Sequence, residues 1–143
     1  MRTIKFRAKA KGSPLIQDGT FVYGCLVLRN ENMPVIDIHG YVDGCGVHYE
    51  HTVDKDTIGQ FTGLYDKNGK EIYEGDIVKT KSGWGGFVLW NSRGYFYIKD
   101  NNFLDNEEPD LSPIGSLYCY ERKQLEVIGS IHDNLDMLKG GQE

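Results

Sequence analysis

Cys45-Gly46-Val47-His48-Tyr49-Glu50-His51 places a thiol and two imidazoles within seven residues, and these are side chains that bind zinc. A zinc site takes about four N or S ligands in tetrahedral array, so His39 or Cys25 would have to complete this one. The spacing fits no paired zinc module and no second pair follows, so the segment reads as a polar loop that happens to contain histidine. Asp66-Lys67-Asn68-Gly69 has some of the composition of a calcium loop, but its glycine comes fourth and no bidentate Glu stands at the twelfth position. A hairpin turn accounts for these residues. Ser82-Gly83-Trp84-Gly85-Gly86 could offer backbone amides to an anion, yet it lacks the Lys and the following helix of a phosphate loop. No metal and no cofactor are expected.

Binding is better represented than catalysis. Trp84 stands among glycines with little nearby to bury it, and an exposed Trp is a plausible anchor for a partner. Trp90, Arg93, Tyr95 and Tyr97 flank a turn on neighbouring strands, where on one face of a barrel they could stack on bases or a peptide. Trp84, Trp90, Arg93 and Tyr95 are therefore the candidate partner-binding residues. The plainer reading of the last three is cross-strand pairing, worth roughly 0.2–1 kcal/mol per pair. Asp105-Asn106-Glu107-Glu108-Pro109-Asp110 is a solvated acidic loop. There is no nucleophile elbow, no Ser-His-Asp set, and no Cys-His pair with a geometric reason to meet, so no catalytic residue is assigned.

The elements that position these residues are short and extended. Ile4 to Ala10 alternates apolar and basic residues, the period of a half-buried strand with Lys5, Arg7 and Lys9 on the solvent side. Phe21–Leu28 and Val35–His39 form a hairpin, with Gly24 marking a bulge or a close backbone approach. Gly40 to Asp56 reads as a loop or irregular crossover. Asn68-Gly69 between apolar flanks is a hairpin signal. Strands follow at Ile77–Thr80, Gly86–Trp90, Tyr95–Lys99 and Leu125–Ile131, and a short helix at Asn134–Lys139. The pattern from residue 57 onward predicts a small closed SH3-like barrel with Ile77, Phe87, Leu89, Phe96, Ile98, Val127 and Ile131 inside and Leu64 and Ile72 over one end. The fold class expected is mainly β: a single domain 1–143, with an N-terminal β-hairpin region (1–56) beside the barrel (57–131) and a short C-terminal helix and tail (132–143).

Composition narrows the setting. Eighteen Gly, nine Tyr, six Phe and two Trp in 143 residues favour strands and tight turns over a helical bundle. A net charge of -5 works against a grip on duplex DNA. Three widely spaced cysteines make no disulfide framework, and no long apolar run opens the chain, so a cytoplasmic protein without membrane segments is expected.

The stretch Gly59-Gln60-Phe61-Thr62-Gly63-Leu64-Tyr65-Asp66-Lys67-Asn68-Gly69-Lys70-Glu71-Ile72-Tyr73-Glu74-Gly75-Asp76-Ile77-Val78 resembles the hallmark of the YopX family. Ile4–Ala8, Gly19–Gly24 and Leu125–Asn134 resemble the family's opening, its next motif and its ending, in order. The resemblance implies a phage or prophage origin and a mainly β fold with a barrel. It transfers no activity and no catalytic residue. The leading expectation is a non-enzymatic accessory module that binds a phage or host protein or a second copy of itself. The alternatives are a barrel that binds single-stranded nucleic acid and a metal-dependent enzyme built on Cys45, His48 and His51.

Overall fold

The computed structural model describes residues 3–30, 33–42, 45–80, 85–100 and 125–134, with the side chains of 39–42, 45–48 and 100 left aside. The chain forms two compact units, Met1–Phe61 and Thr62–Glu143.

In the first unit, β1 (Phe6–Lys9), β2 (Phe21–Leu28), β3 (Pro34–Val42) and β4 (Cys45–Thr52) are followed by a single 3-10 turn at Lys55–Thr57 and by the start of β5 (Gly59–Tyr65). The strand order is β4-β3-β2-β1-β5, antiparallel at each described pairing. Alternation sends Ala8, Val22 and Ile36 to one face, where they are buried with Ala10 and Val53 and packed by Phe6, Leu26, Ile38 and Ile58. Each such aliphatic side chain contributes about 1.5–3 kcal/mol on burial. Gly24 is the close approach that its place in the strand suggests: a Cβ there would stand 2.3 Å from the Asp37 carbonyl oxygen.

Two readings of this unit are corrected. Gly40–Asp56 is not a loop: β3 runs to Val42 and pairs with β4 from Val42↔Cys45 to Val35↔Thr52. The period-two alternation of Val47, Tyr49 and His51 carried that signal, but the glycines and polar residues between obscured it. Arg7 does not face solvent either. It is 4 % exposed, with its guanidinium carbon 4.4 Å from the Phe21 ring centroid.

In the second unit, the end of β5 turns into β6 (Glu71–Tyr73), its neighbour in the sheet. β7 (Asp76–Lys79), β8 (Gly85–Trp90), β9 (Phe96–Asp100) and β10 (Glu126–Ser130) form an antiparallel sheet of order β10-β7-β8-β9. A bulge between Val127 and Gly129 bends β10. The core is Leu64, Ile72, Val78, Val88, Phe96, Ile98 and Leu125, with Val127 packed against it.

The protein is thus mainly β, as expected, and apart from β4 the strands expected from the sequence are found within a few residues of their places. The closed SH3-like barrel is not found: among the described residues the ladder runs open from β10 to β9. The expected helix falls almost wholly outside the described residues, and 131–133 form a turn. The inward face is also offset by one residue on two strands. Val78 and Val88 join the core where Ile77, Phe87 and Leu89 were expected; Ile77 is buried outside that cluster, and Phe87 and Leu89 are half-buried. Runs such as Ile77-Val78 and Phe87-Val88-Leu89 are apolar at both parities, so the pattern does not say which face is which. Gly86 lies opposite Val78 on the core face, and a Cβ there would stand 2.1 Å from the Lys99 carbonyl oxygen. Ile131 lies past β10, half-buried, and Leu125 is buried instead.

Candidate functional site

The β8–β9 hairpin end holds three of the four candidate partner-binding residues; the fourth, Trp84, lies outside the described residues. Trp90 ends β8 opposite Phe96, and the two rings meet edge to face with centroids 4.7 Å apart. Such a contact contributes about 0.5–1.5 kcal/mol beyond burial. Trp90 nevertheless keeps 45 % of its surface exposed. Arg93, at the turn, is exposed, and its guanidinium pairs with nothing among the described residues. Tyr95 is half-buried, one residue before Phe96, so alternation assigns it to the face opposite Trp90. The fold therefore gathers Trp90, Arg93 and Tyr95 at one hairpin end but does not line them up on one face.

The turn is closed by three hydrogen bonds around one residue that sequence reasoning passed over. Asn91 N–H donates to the Tyr95 carbonyl (2.9 Å), Gly94 N–H donates to the Asn91 carbonyl (2.9 Å), and Arg93 N–H donates to Asn91 Oδ1 (2.6 Å). Gly94 takes φ 90°, which suits glycine. Asn91 is 3 % exposed, and its Nδ2 has no hydrogen-bond partner among the described residues. The signal was an Asn at the head of a turn, which caps the backbone two residues on.

A second turn of the same form joins β5 to β6. Asp66 N–H donates to the Lys70 carbonyl (2.7 Å) and Gly69 N–H to the Asp66 carbonyl (3.0 Å), with Gly69 at φ 81°. Asp66 Oδ1 accepts from Asn68 N–H (2.8 Å) and Lys70 N–H (2.9 Å), and Oδ2 accepts from Val127 N–H (3.0 Å) on β10. Burial alone would raise the Asp66 pKa, but these three backbone donors and the nearby Lys70 charge outweigh it and hold the carboxyl below its ordinary value. The carboxylate thus serves the backbone. Next along the chain, Asp76 accepts from Tyr73 N–H (2.8 Å), and Ile131 N–H donates to the Gly75 carbonyl (2.9 Å). The segments 59–78 and 125–134 meet through these bonds.

Of the metal candidates, the side chains of His39, Cys45 and His48 lie outside the described residues. His51 is buried with Nδ1 2.9 Å from Ser13 Oγ, and Cys25 is an exposed free thiol. Residues 45, 48 and 51 all belong to β4. Among the described residues no three His, Cys, Asp or Glu group to hold a metal ion, and no helix is long and apolar enough to cross a membrane. In the first unit a cavity of about 390 Å³ is lined by Lys11, Lys55, Asp54 and Asp56 around Pro34 and Val53. On β1 and β2, Lys9 Nζ stands 4.2 Å from the Phe21 ring centroid beside the exposed Tyr23.

The family model described as YopX protein matches residues 5–139. Among solved structures, the crystal structure of protein EF1440 from Enterococcus faecalis shares the fold with a TM-score of 0.59 at 23 % identity, covering 96 % of this chain and 99 % of that one. No curated protein matches the sequence.

Proposed function

The chain belongs to the YopX family, and from that premise we propose that it is a non-enzymatic accessory module of the phage or prophage type. It works in the cytoplasm and binds a partner protein, or a second copy of itself, through the β8–β9 hairpin end. The observation that carries this reading is Trp90: a large aromatic at a strand end, 45 % exposed, one residue from a rigid turn that also presents Arg93. Trp and Arg are the residues that most often dominate binding energy, and a side chain already fixed by a ring contact loses little entropy on docking. Closure of the β10-β7-β8-β9 sheet into an SH3-like barrel belongs to the same proposal, and contacts between β9 and β10 in a solution structure would establish it. The test of function is affinity capture paired with light scattering on the native chain and on Trp90→Ala. A partner or a dimer that depends on Trp90 is expected. A strictly monomeric mass, with no partner lost on substitution, overturns the reading.

A second reading rests on Lys9, Phe21 and Tyr23, where basic and aromatic side chains interleave on neighbouring strands in the manner of a base-stacking surface. Single-stranded DNA or RNA retained by the protein at low salt, and released on Tyr23→Ala, would favour it over the first.

A further inference from the structure

We propose that the open cavity of the first unit binds a small zwitterion, a molecule with one ammonium and one carboxylate on a short frame that carries an apolar side chain. This site does not involve the β8–β9 hairpin end and goes beyond the function proposed there. The cavity holds about 390 Å³. That is the lower part of the range of small-ligand sites, roughly 300–1,000 Å³, and it suits a molecule of amino-acid or dipeptide size. Its frame is tied by hydrogen bonds across three segments. Lys11 N–H donates to the Thr52 carbonyl (2.9 Å), and Thr52 Oγ1 donates back to the Lys11 carbonyl (2.7 Å). Val53 N–H donates to the Pro34 carbonyl (3.3 Å) and Asp54 N–H to the Lys9 carbonyl (2.9 Å). These main-chain groups are committed to one another, so recognition falls to the side chains.

Those side chains carry both signs of charge. Lys11 comes from the segment after β1, and Asp54, Lys55 and Asp56 come from the segment after β4. Lys11, Lys55 and Asp56 are exposed, so a ligand reaches their charged ends directly from solvent. Asp54 is half-buried and uses Oδ1 to cap Asp56 N–H (3.1 Å), which makes Asp56 the freer acceptor. Two ammoniums and two carboxylates around one cavity complement a ligand with one charge of each sign. A phosphate would meet the two aspartates as well as the lysines, and a metal ion would meet both lysines. The apolar lining is Pro34 and Val53, both buried, and Met33, 42 % exposed. Methionine adapts its shape to what it touches, which suits an aliphatic side chain on the ligand. Ion pairs open to water contribute little each, so a dissociation constant on the order of 1 mM is expected.

The test is a heteronuclear NMR titration of the full chain with leucine, read on the backbone amides of Thr52, Val53, Lys55 and Asp56. These signals should shift together and saturate with one dissociation constant. N-acetylleucine lacks the ammonium and leucinamide lacks the carboxylate; each should bind about threefold more weakly than leucine, or worse. Lys11→Gln and Lys55→Gln should weaken leucine by a similar factor without weakening leucinamide. Asp56→Asn should weaken leucine and leucinamide without weakening N-acetylleucine. All three side chains are exposed, so these variants keep the fold. Leucylglycine separates the two sources of this chemistry: binding tighter than leucine assigns the ends of a short peptide, and weaker binding assigns a free amino acid. Uncharged N-acetylleucinamide that binds as well as leucine overturns the inference, because apolar contact alone would then explain the site. Lysine and aspartate variants that bind leucine as the native chain does overturn it too. So does the absence of a saturable shift up to the solubility of leucine and leucylglycine.

Discussion

Two turns of one design sit in the same unit and do different work. Asp66–Lys70 and Asn91–Tyr95 share their closing backbone bonds, their glycine at positive φ, and a side-chain oxygen that caps the backbone two residues on. They differ in what else the side chain holds, and Asp66 Oδ1 also accepts from Lys70 N–H. Asp66 turns its second oxygen onto Val127 and ties β10 to the hairpin, whereas Asn91 turns a nitrogen toward no acceptor among the described residues. One loop geometry therefore serves as a staple where a neighbouring strand supplies a donor, and as a self-contained turn at Asn91.

The comparison breaks first if Asp66 proves dispensable. Asp66→Ala removes the acceptor for Asn68, Lys70 and Val127 and should cost about 2–4 kcal/mol in urea unfolding, since water replaces the bonds at the turn more readily than the one to β10. Asp66→Asn keeps an oxygen for the turn but sets a donor against Val127 N–H, for about 1–3 kcal/mol. Acid should erase much of that second difference. The folded-state pKa of Asp66 lies below its unfolded value, so its contribution is fully present above about pH 4 and is lost as pH falls through the lowered folded value. Urea midpoints of the native chain and Asp66→Asn should be well separated at neutral pH and draw together as pH falls below about 4 and through the lowered folded value. A separation that persists there would mean the carboxylate charge does not hold β10.

How much of this was legible in the sequence follows from the range of each interaction. Local signals carried far: Asn68-Gly69 marked a hairpin, though the loop is the three residues 67–69 with glycine last, and Gly24 marked a close approach. Family likeness located 59–78 and 125–134 without saying that they meet. The parity of β7 and β8 was not legible, because Val78 and Val88 have apolar neighbours and only the packing of Leu64, Ile72 and Leu125 chooses between faces. β4 was hidden because His48, Glu50 and His51 suggested chemistry before they suggested a strand. At the hairpin end, Trp90 and Arg93 were readable by residue type. Asn91 was not, since a cap with an unused branch has the same sequence as a cap with a used one.

A milder substitution sharpens the likeness between the turns. Gly69 and Gly94 both sit at positive φ with nothing within 4 Å of a would-be Cβ, so alanine at either meets backbone strain alone. Gly69→Ala and Gly94→Ala should each cost about 1–2 kcal/mol, and the two costs should agree within a few tenths. Thermal melts of the two variants compare them directly. A Gly94→Ala variant that melts with the native chain would show that the second turn relaxes out of this geometry, and the likeness between the turns would weaken with it.

The smallest effect on stability is expected at Asn91. Asn91→Ser retains a hydroxyl oxygen that caps Arg93 N–H, more weakly than an amide does, and it removes a buried donor that has no acceptor among the described residues. These changes oppose each other, so the urea midpoint should move by less than about 1 kcal/mol in either direction. Asp66→Ser at the matching position loses the branch that reaches Val127 and should fall well outside that range. The two serine variants, unfolded side by side, compare what each side chain holds beyond the shared cap. If they destabilise the chain equally, the second branch of Asp66 is not holding β10, and the distinction between the two turns is lost.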